Sequence, residues 1–239
     1  MKKNRVPGLR GLLLLLALAM SLPGQAFVLG GTRVVLNEPD GATIPVISKP
    51  EDNVLLIQAR VVKTREGKGK VTDVMVSPPV SRLEPGGRNS LKLMMLNSSA
   101  FPRDRESLFY LSVAGLPSSN PLSPDRGKIT GGVVVGTGVI VKVFWRPKSL
   151  PVVSDSTWSS LVVTRVPGGI DIRNPTPFHI NFQSLKVDGH QIKFSDAQPE
   201  MLLPFAHQFY GTSSVAKKTL QWTVYNDLGG LVNGQSDIR

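Results

Sequence analysis

Short apolar runs, each closed by proline, glycine, asparagine or aspartate, recur along most of the chain. A first set comprises Thr32–Leu36, Val54–Val62, Val71–Val76, Asn89–Leu96, Ser107–Val113 and Val133–Trp145. A second comprises Trp158–Val166, Gly169–Ile172, His179–Val187 and Lys218–Tyr225. No stretch longer than about ten residues repeats its apolar positions at helical spacing. Many short strands broken by turn residues predict an all-β sandwich. Between the two sets lies Arg146–Ser154, with two prolines, and this is the expected domain boundary. The chain is therefore read as two β-sandwich domains, 27–147 and 152–239, joined by a linker at 148–151.

One run stands apart. Gly131–Arg146 (GGVVVGTGVIVKVFWR) is dominated by glycine and β-branched residues and carries no charge before Lys142. Such a segment forms a strand readily. Because its free edge would pair with other chains, it is normally hidden or guarded. Either it is the buried centre of its own sandwich, or it is displayed to complete another unfinished sheet. The segment before it, Leu116–Gly132, contains prolines and serines and reads as a mobile loop.

The start of the chain reads as a secretion signal, residues 1–26. Lys2, Lys3, Arg5 and Arg10 precede the apolar stretch Gly11–Leu22, and Pro23-Gly24-Gln25-Ala26 offers a cleavage site. That stretch is short for a membrane span of about 20 residues. The formal net charge is +11, and removing those four cations leaves +7 because the first acidic residue is Glu38. No zinc-finger spacing, RNA-binding aromatic signature or long basic helix accompanies the excess, so no nucleic-acid partner is expected. The basic cluster Lys63–Lys70 reads as a solvated hairpin turn. There are no cysteines, so a secreted chain must be held by its apolar cores alone.

Several motifs occur in order along the chain: Gly31–Val35, Ser77–Gly86 (SPPVSRLEPG), Asp104–Tyr110 and Lys142–Pro147, then Gly168-Gly169, Asn174–Pro177 and Asn226–Gly230. Together they resemble the periplasmic pilus chaperones, the PapD-like family of the chaperone–usher pathway. The resemblance implies two immunoglobulin-like domains in a boomerang arrangement with an interdomain cleft. It implies capture of fimbrial subunits by strand donation, and their delivery to an outer-membrane usher. The expected compartment is the periplasm, and no cofactor is implied. In the free state the sticky Val133–Val141 run suggests a homodimer whose two copies cap each other's edges.

Matching the family motif residue by residue implies that Arg33 and Lys142 hold the C-terminal carboxylate of a subunit. The strand before Lys142 would be lent to the subunit's groove through Val133, Val135 and Thr137, with Ile129 as an extra anchor. Residues of the opposite face, Val134 and Ile140, are apolar too, so the pattern alone leaves the face open. Thr137 stands where a larger apolar residue is expected. Glu106, Arg146 and Asp227 match an ion-pair network that joins the domains.

An enzyme is not expected. The histidines are His179, His190 and His207, without metal-site spacing, and no GxSxG elbow surrounds Ser154, Ser156, Ser159 or Ser160. A fibre subunit is the competing reading, since it too would be secreted and all-β. A mid-chain donor strand followed by a complete second sandwich favours the chaperone.

Overall fold

Side-chain alternation decides which face each strand buries, and in Leu55–Val62 it puts Leu55, Ile57, Ala59 and Val61 inward with Gln58 and Arg60 outward. That strand belongs to a computed structural model describing residues 27–117, 136–214 and 218–239. Its first-domain strands are β1 (Val28–Leu29), β2 (Arg33–Asn37), β3 (Ala42–Ile47), β4 (Leu55–Val62), β5 (Val74–Ser77), β6 (Val80–Leu83), β7 (Arg88–Met95), β8 (Ser107–Pro117) and β9 (Thr137–Arg146). They form two sheets, ordered β1-β3-β7-β5 and β2-β9-β8-β4-β6. Between the sheets lies a core that includes Leu36, Val46, Ile57, Leu91, Leu111, Val143 and Trp145.

In the second domain a short helix, α1 (Asp155–Ser159), precedes β10 (Val162–Val166), β11 (Gly169–Arg173), β12 (Ile180–Val187), β13 (His190–Gln191), β14 (Met201–Leu202), β15 (His207–Gly211), β16 (Thr219–Tyr225) and β17 (Leu231–Asp237). One sheet runs β10-β11-β15. The other runs β13-β12-β16-β17, with β14 also on β12. Its core, around Ile170, Ile180, Leu185, Tyr210, Leu220 and Trp222, shares no residue with the first.

The structure departs from the predicted strands in instructive places. Asp155–Ser159 is helical where a strand was expected to begin at Trp158: Thr157 Oγ1 accepts the Ser154 amide at 3.1 Å, and the Trp158 carbonyl accepts Trp222 Nε1 at 3.1 Å. Strand β3 was not foreseen because Pro45 interrupts it. The Pro45 carbonyl accepts the Gly30 amide at 2.9 Å, so its missing N–H lies on the side where β1 has already ended, and the ladder to β7 loses nothing. Strand β17 was missed because its sequence, LVNGQSD, is mostly polar; it is an edge strand on β16. Leu116 and Pro117, read as loop, extend β8 and pair with Leu56 and Leu55. The rest of that loop, along with the proposed signal, lies outside the described residues.

A buried ionic network joins the domains. Arg146, at the end of β9, donates from Nε and one terminal nitrogen to Glu106 Oε1 at 3.0 and 2.6 Å. Its terminal nitrogens also reach both oxygens of Asp227, at 2.8 and 3.0 Å. Glu106 Oε2 in turn accepts the backbone amide of His179 at 2.8 Å and faces its Nδ1 at 3.0 Å. Phe144 and Phe178 are buried but belong to neither core: Phe144 lies against the His179 ring and Phe178 under the Arg146 guanidinium. The buried Asn174 organises this side of the second domain by donating to the Phe178 and Leu203 carbonyls and accepting from Thr176. That turn delivers the Pro177 carbonyl to the Glu106 amide at 2.9 Å. Removing one partner of a buried pair costs about 3–5 kcal/mol because the other charge is left stranded. Arg146→Ala is therefore expected to split unfolding into two separate transitions by calorimetry, with the first lying below the wild-type midpoint. An unchanged single transition would show that the network does not couple the domains.

Candidate functional site

The cleft between the domains is built from one row of residues across the first-domain sheet. Strand β2 runs parallel to β9 and sets Arg33 level with Lys142; β8, antiparallel to β9, sets Tyr110 level with Lys142 on the other side. Register partners share a face, so the three side chains leave the sheet together. They line a cavity of about 270 Å³ with Arg65, Ile140, Asn181, Phe182, Glu200 and Tyr225. The two sequence-predicted cations are thus brought together, and second-domain residues form the facing wall.

Arg33 packs its guanidinium over the Tyr225 ring, 5.0 Å from the centroid, and donates weakly to the Tyr225 carbonyl at 3.4 Å. Its Nε is buried without a hydrogen-bond partner among the described residues. Lys142 donates from Nζ to Asn181 Oδ1 at 2.7 Å and lies 3.5 Å from Glu200 Oε1. Burial pulls the ammonium below the ordinary lysine range, and Arg33 and Arg65 pull it the same way; Glu200 opposes them. A half-buried ammonium beside a buried guanidinium donor gives this wall of the cleft a field that favours an anion.

Sequence reasoning missed Arg65 and Glu200. Arg65 sits in the Lys63–Lys70 turn, which is a hairpin turn as read: Lys63 N donates to the Lys68 and Gly69 carbonyls, and Val62 bridges Lys70. Yet Arg65 leans across to Glu200, its terminal nitrogen 3.6 Å from Oε1. Nothing local to the KTREGKGK segment signals this, because the partner lies in the other domain.

Strand β9 has two unlike halves. From Lys142 to Trp145 it is flanked by β2 and β8, and Arg146 pairs with β2 alone among the described residues. From Thr137 to Val141 only β8 pairs with it among the described residues, and the opposite edge has no neighbour. The cause is a change of sheet at the start of the domain. The β1 segment pairs with β3 in the other sheet, and Gly30–Thr32 carry the chain across before β2 begins. The crossing requires glycine at 30, where a Cβ would overlap the Pro45 ring. On the bare half, Val139 and Ile140 are exposed. Thr137 is half-buried opposite Gly115, with its hydroxyl buried and without a hydrogen-bond partner among the described residues, and by alternation it shares the face of Val141 and Val143. Val133, Val135, Val134 and Ile129 lie outside the described residues.

The other candidate chemistries are scattered. His179 is spent on Glu106, His207 pairs with Asp171 at 3.0 Å, and His190 is exposed on β13. The serines around α1 bond locally: Ser159 to the Asp155 carbonyl, Ser160 to that of Thr157, and Ser154 with Ser156. Among the described residues no group of acidic and histidine side chains is placed to hold a metal, and no helix is long and apolar enough to cross a membrane.

Known proteins share this architecture. The chain is 29% identical over 229 residues to the fimbrial chaperone YcbF of Escherichia coli K12, covering 92% of each. It is 27% identical to the chaperone protein PapD of Escherichia coli, over 86% of this chain and 83% of that one. The crystal structure of the Escherichia coli chaperone DraB matches with a TM-score of 0.74 and 28% identity, over 89% of this chain and 98% of the other. Residues 26–151 match the family described as pili and flagellar-assembly chaperone, PapD N-terminal domain, and 156–236 match the pili assembly chaperone PapD C-terminal domain. The cleft, the paired cations and the bare strand edge thus belong to a two-domain, immunoglobulin-like member of the PapD-like pilus-assembly chaperone family.

Proposed function

We propose that this protein is a periplasmic chaperone that captures fimbrial subunits, completes their unfinished sheets with β9, and delivers them to an outer-membrane usher. The observation that carries the reading is the five-residue edge of Thr137–Val141, bare among the described residues and ending at a lysine level with an arginine. An unpaired edge offers main-chain donors and acceptors to an incoming strand, which bind without regard to its sequence. Arg33 and Lys142 hold the subunit's terminal carboxylate, and Arg33 Nε, without a partner among the described residues, supplies a further donor. Each charge-assisted hydrogen bond adds about 1.5–3 kcal/mol. Fixing one end of the guest strand also fixes its register, since a slip of one residue would turn every side chain over. Val133, Val135 and Thr137 fill the subunit's groove along the lent strand.

The rest of the chain follows from this role. Residues 1–26 are a signal removed on export, 27–147 the strand-donating domain, 148–151 the linker and 152–239 the second domain. The protein performs no catalysis and needs no cofactor. When free, two copies cap each other through the same bare edges, and sedimentation showing only monomer at high concentration would remove that last part.

Co-purification of the fimbrial subunit from periplasm, compared among wild type, Arg33→Ala and Lys142→Ala, tests the central reading. A one-to-one complex is expected with wild type and a loss of at least tenfold with either variant, from about 1.5 kcal/mol or more of lost anchoring. Equal capture by all three proteins would sink the anchor assignment. Capture also has a defined dependence on pH. A bound carboxylate stabilises the Lys142 ammonium, so binding is complete below the lysine's free-state pKa and declines as pH rises through its bound-state value. Because burial lowers the free-state value, the decline should begin below the 10.5 of an ordinary lysine, and Lys142→Arg should move it upward. Affinity that stays flat beyond that pH would argue that Lys142 does not contact the carboxylate.

A further inference from the structure

The anchoring cations do not stand alone in the free protein, and the company they keep suggests how a guest is admitted. Glu200 is the carboxylate facing Lys142, and its placement is tightly specified. Tyr210 donates to the preceding carbonyl, that of Pro199, at 2.8 Å, while the Glu200 carbonyl accepts the Phe182 amide at 2.8 Å. The next residue, Met201, pairs with Asn181 in the register of β14 on β12. Two bonds and a strand pairing therefore hold Glu200 beside Asn181, the residue to which Lys142 donates.

The side chain itself is held far more loosely than its backbone. One oxygen, Oε1, lies 3.5 Å from Lys142 Nζ and 3.6 Å from Arg65. Both separations exceed the usual range of an N–H···O bond, about 2.7–3.2 Å. The buried Arg146 pairs, at 2.6 and 2.8 Å, show what a permanent ionic contact in this protein looks like. Glu200 is a near neighbour of two cations and tightly bonded to neither.

We propose that Glu200 is a resident counter-ion of the anchoring site, displaced from Lys142 when a chain-terminal carboxylate arrives and retained by Arg65 while the guest is bound. The inference rests on the reading of Arg33 and Lys142 as the carboxylate anchor. It adds Arg65 and Glu200 as residues that select the ligand's charge. Exchanging one carboxylate for another leaves the charge around Lys142 unchanged. A neutral chain end or a backbone carbonyl offers no charge to replace the one that leaves. Arg65 lets Glu200 give up Lys142 without standing unpaired.

N-acetylglycine, a minimal chain-terminal carboxylate, is the probe, with N-acetylglycinamide as its neutral control. Binding is followed by side-chain NMR of Lys142 and Arg33 in the full mature protein at low salt. Exposed ion pairs of this kind are worth little, so Glu200→Gln should tighten N-acetylglycine binding by about two- to fivefold and Arg65→Gln should weaken it to a similar degree. A readout without ligand is the titration of Lys142 itself, whose surroundings include Arg33, Arg65, Glu200, Tyr110 and Tyr225. Glu200→Gln should lower its midpoint and Arg65→Gln should raise it. The inference is overturned, with the anchor reading intact, if the probe perturbs Lys142 in wild type but Glu200→Gln alters neither affinity nor titration. Equal binding of the amide control would overturn it as well. If N-acetylglycine perturbs Lys142 in none of the proteins, the anchor reading fails and the inference with it.

Discussion

Arg146 holds the molecule's working geometry. Its guanidinium, alone among the described residues, bonds to an acid of each domain, Glu106 on one side and Asp227 on the other. Only a planar, multi-donor cation can serve two carboxylates in this way, and burial removes the competing water. Everything in the cleft is downstream of that contact. Arg33, Arg65 and Lys142 come from the first domain and Asn181, Glu200 and Tyr225 from the second, so the cavity exists only while the two are held together. The network lies at the end of the strand that carries Lys142, four residues away. Domain orientation and the proposed ligand anchoring thus share one piece of backbone.

A second constraint works through absence. An immunoglobulin-like sheet would ordinarily flank an inner strand along its whole length, and here the first strand abandons its sheet for half of it. The switch at Gly30–Thr32 satisfies β3 in one sheet and leaves Thr137–Val141 without a neighbour on that edge of the other among the described residues. The exposed edge is therefore produced by topology and not by an unusual composition. Chemistry then finishes it: the row of Arg33, Lys142 and Tyr110 crosses the sheet where pairing with β2 begins.

Much of this was legible in the chain itself, for identifiable reasons. Short apolar runs closed by turn residues revealed most strands, because each strand packs apolar side chains on a core. Arg33 and Lys142 look like ordinary surface cations by composition, and only the order of the surrounding motifs singled them out. The asparagine of the Asn174–Pro177 motif gained a physical explanation, since its amide organises the turn that meets Glu106. What escaped notice depended on partners distant in sequence. Arg65 and Glu200 sit in segments with polar, turn-like sequences, and their significance arises only from facing each other across the cleft. Strand β3 was concealed by a proline tolerated because its ring faces the end of a short neighbour, and β17 by its polar edge.

The division of β9 at Lys142 has a consequence for how such a protein can diverge. From Val143 to Trp145 the side chains are buried and answer to the protein's own fold. From Thr137 to Ile140 they contribute little to it, with Gly138, Val139 and Ile140 exposed. Under the proposed strand donation, selection acts on two adjoining stretches of one strand through different molecules. One is policed by the chaperone's own stability, the other by whatever guest it must fit. A lineage can retune the outer stretch to new clients while the inner stretch stays nearly frozen, and a duplicated copy can specialise without having to be re-engineered as a folded domain.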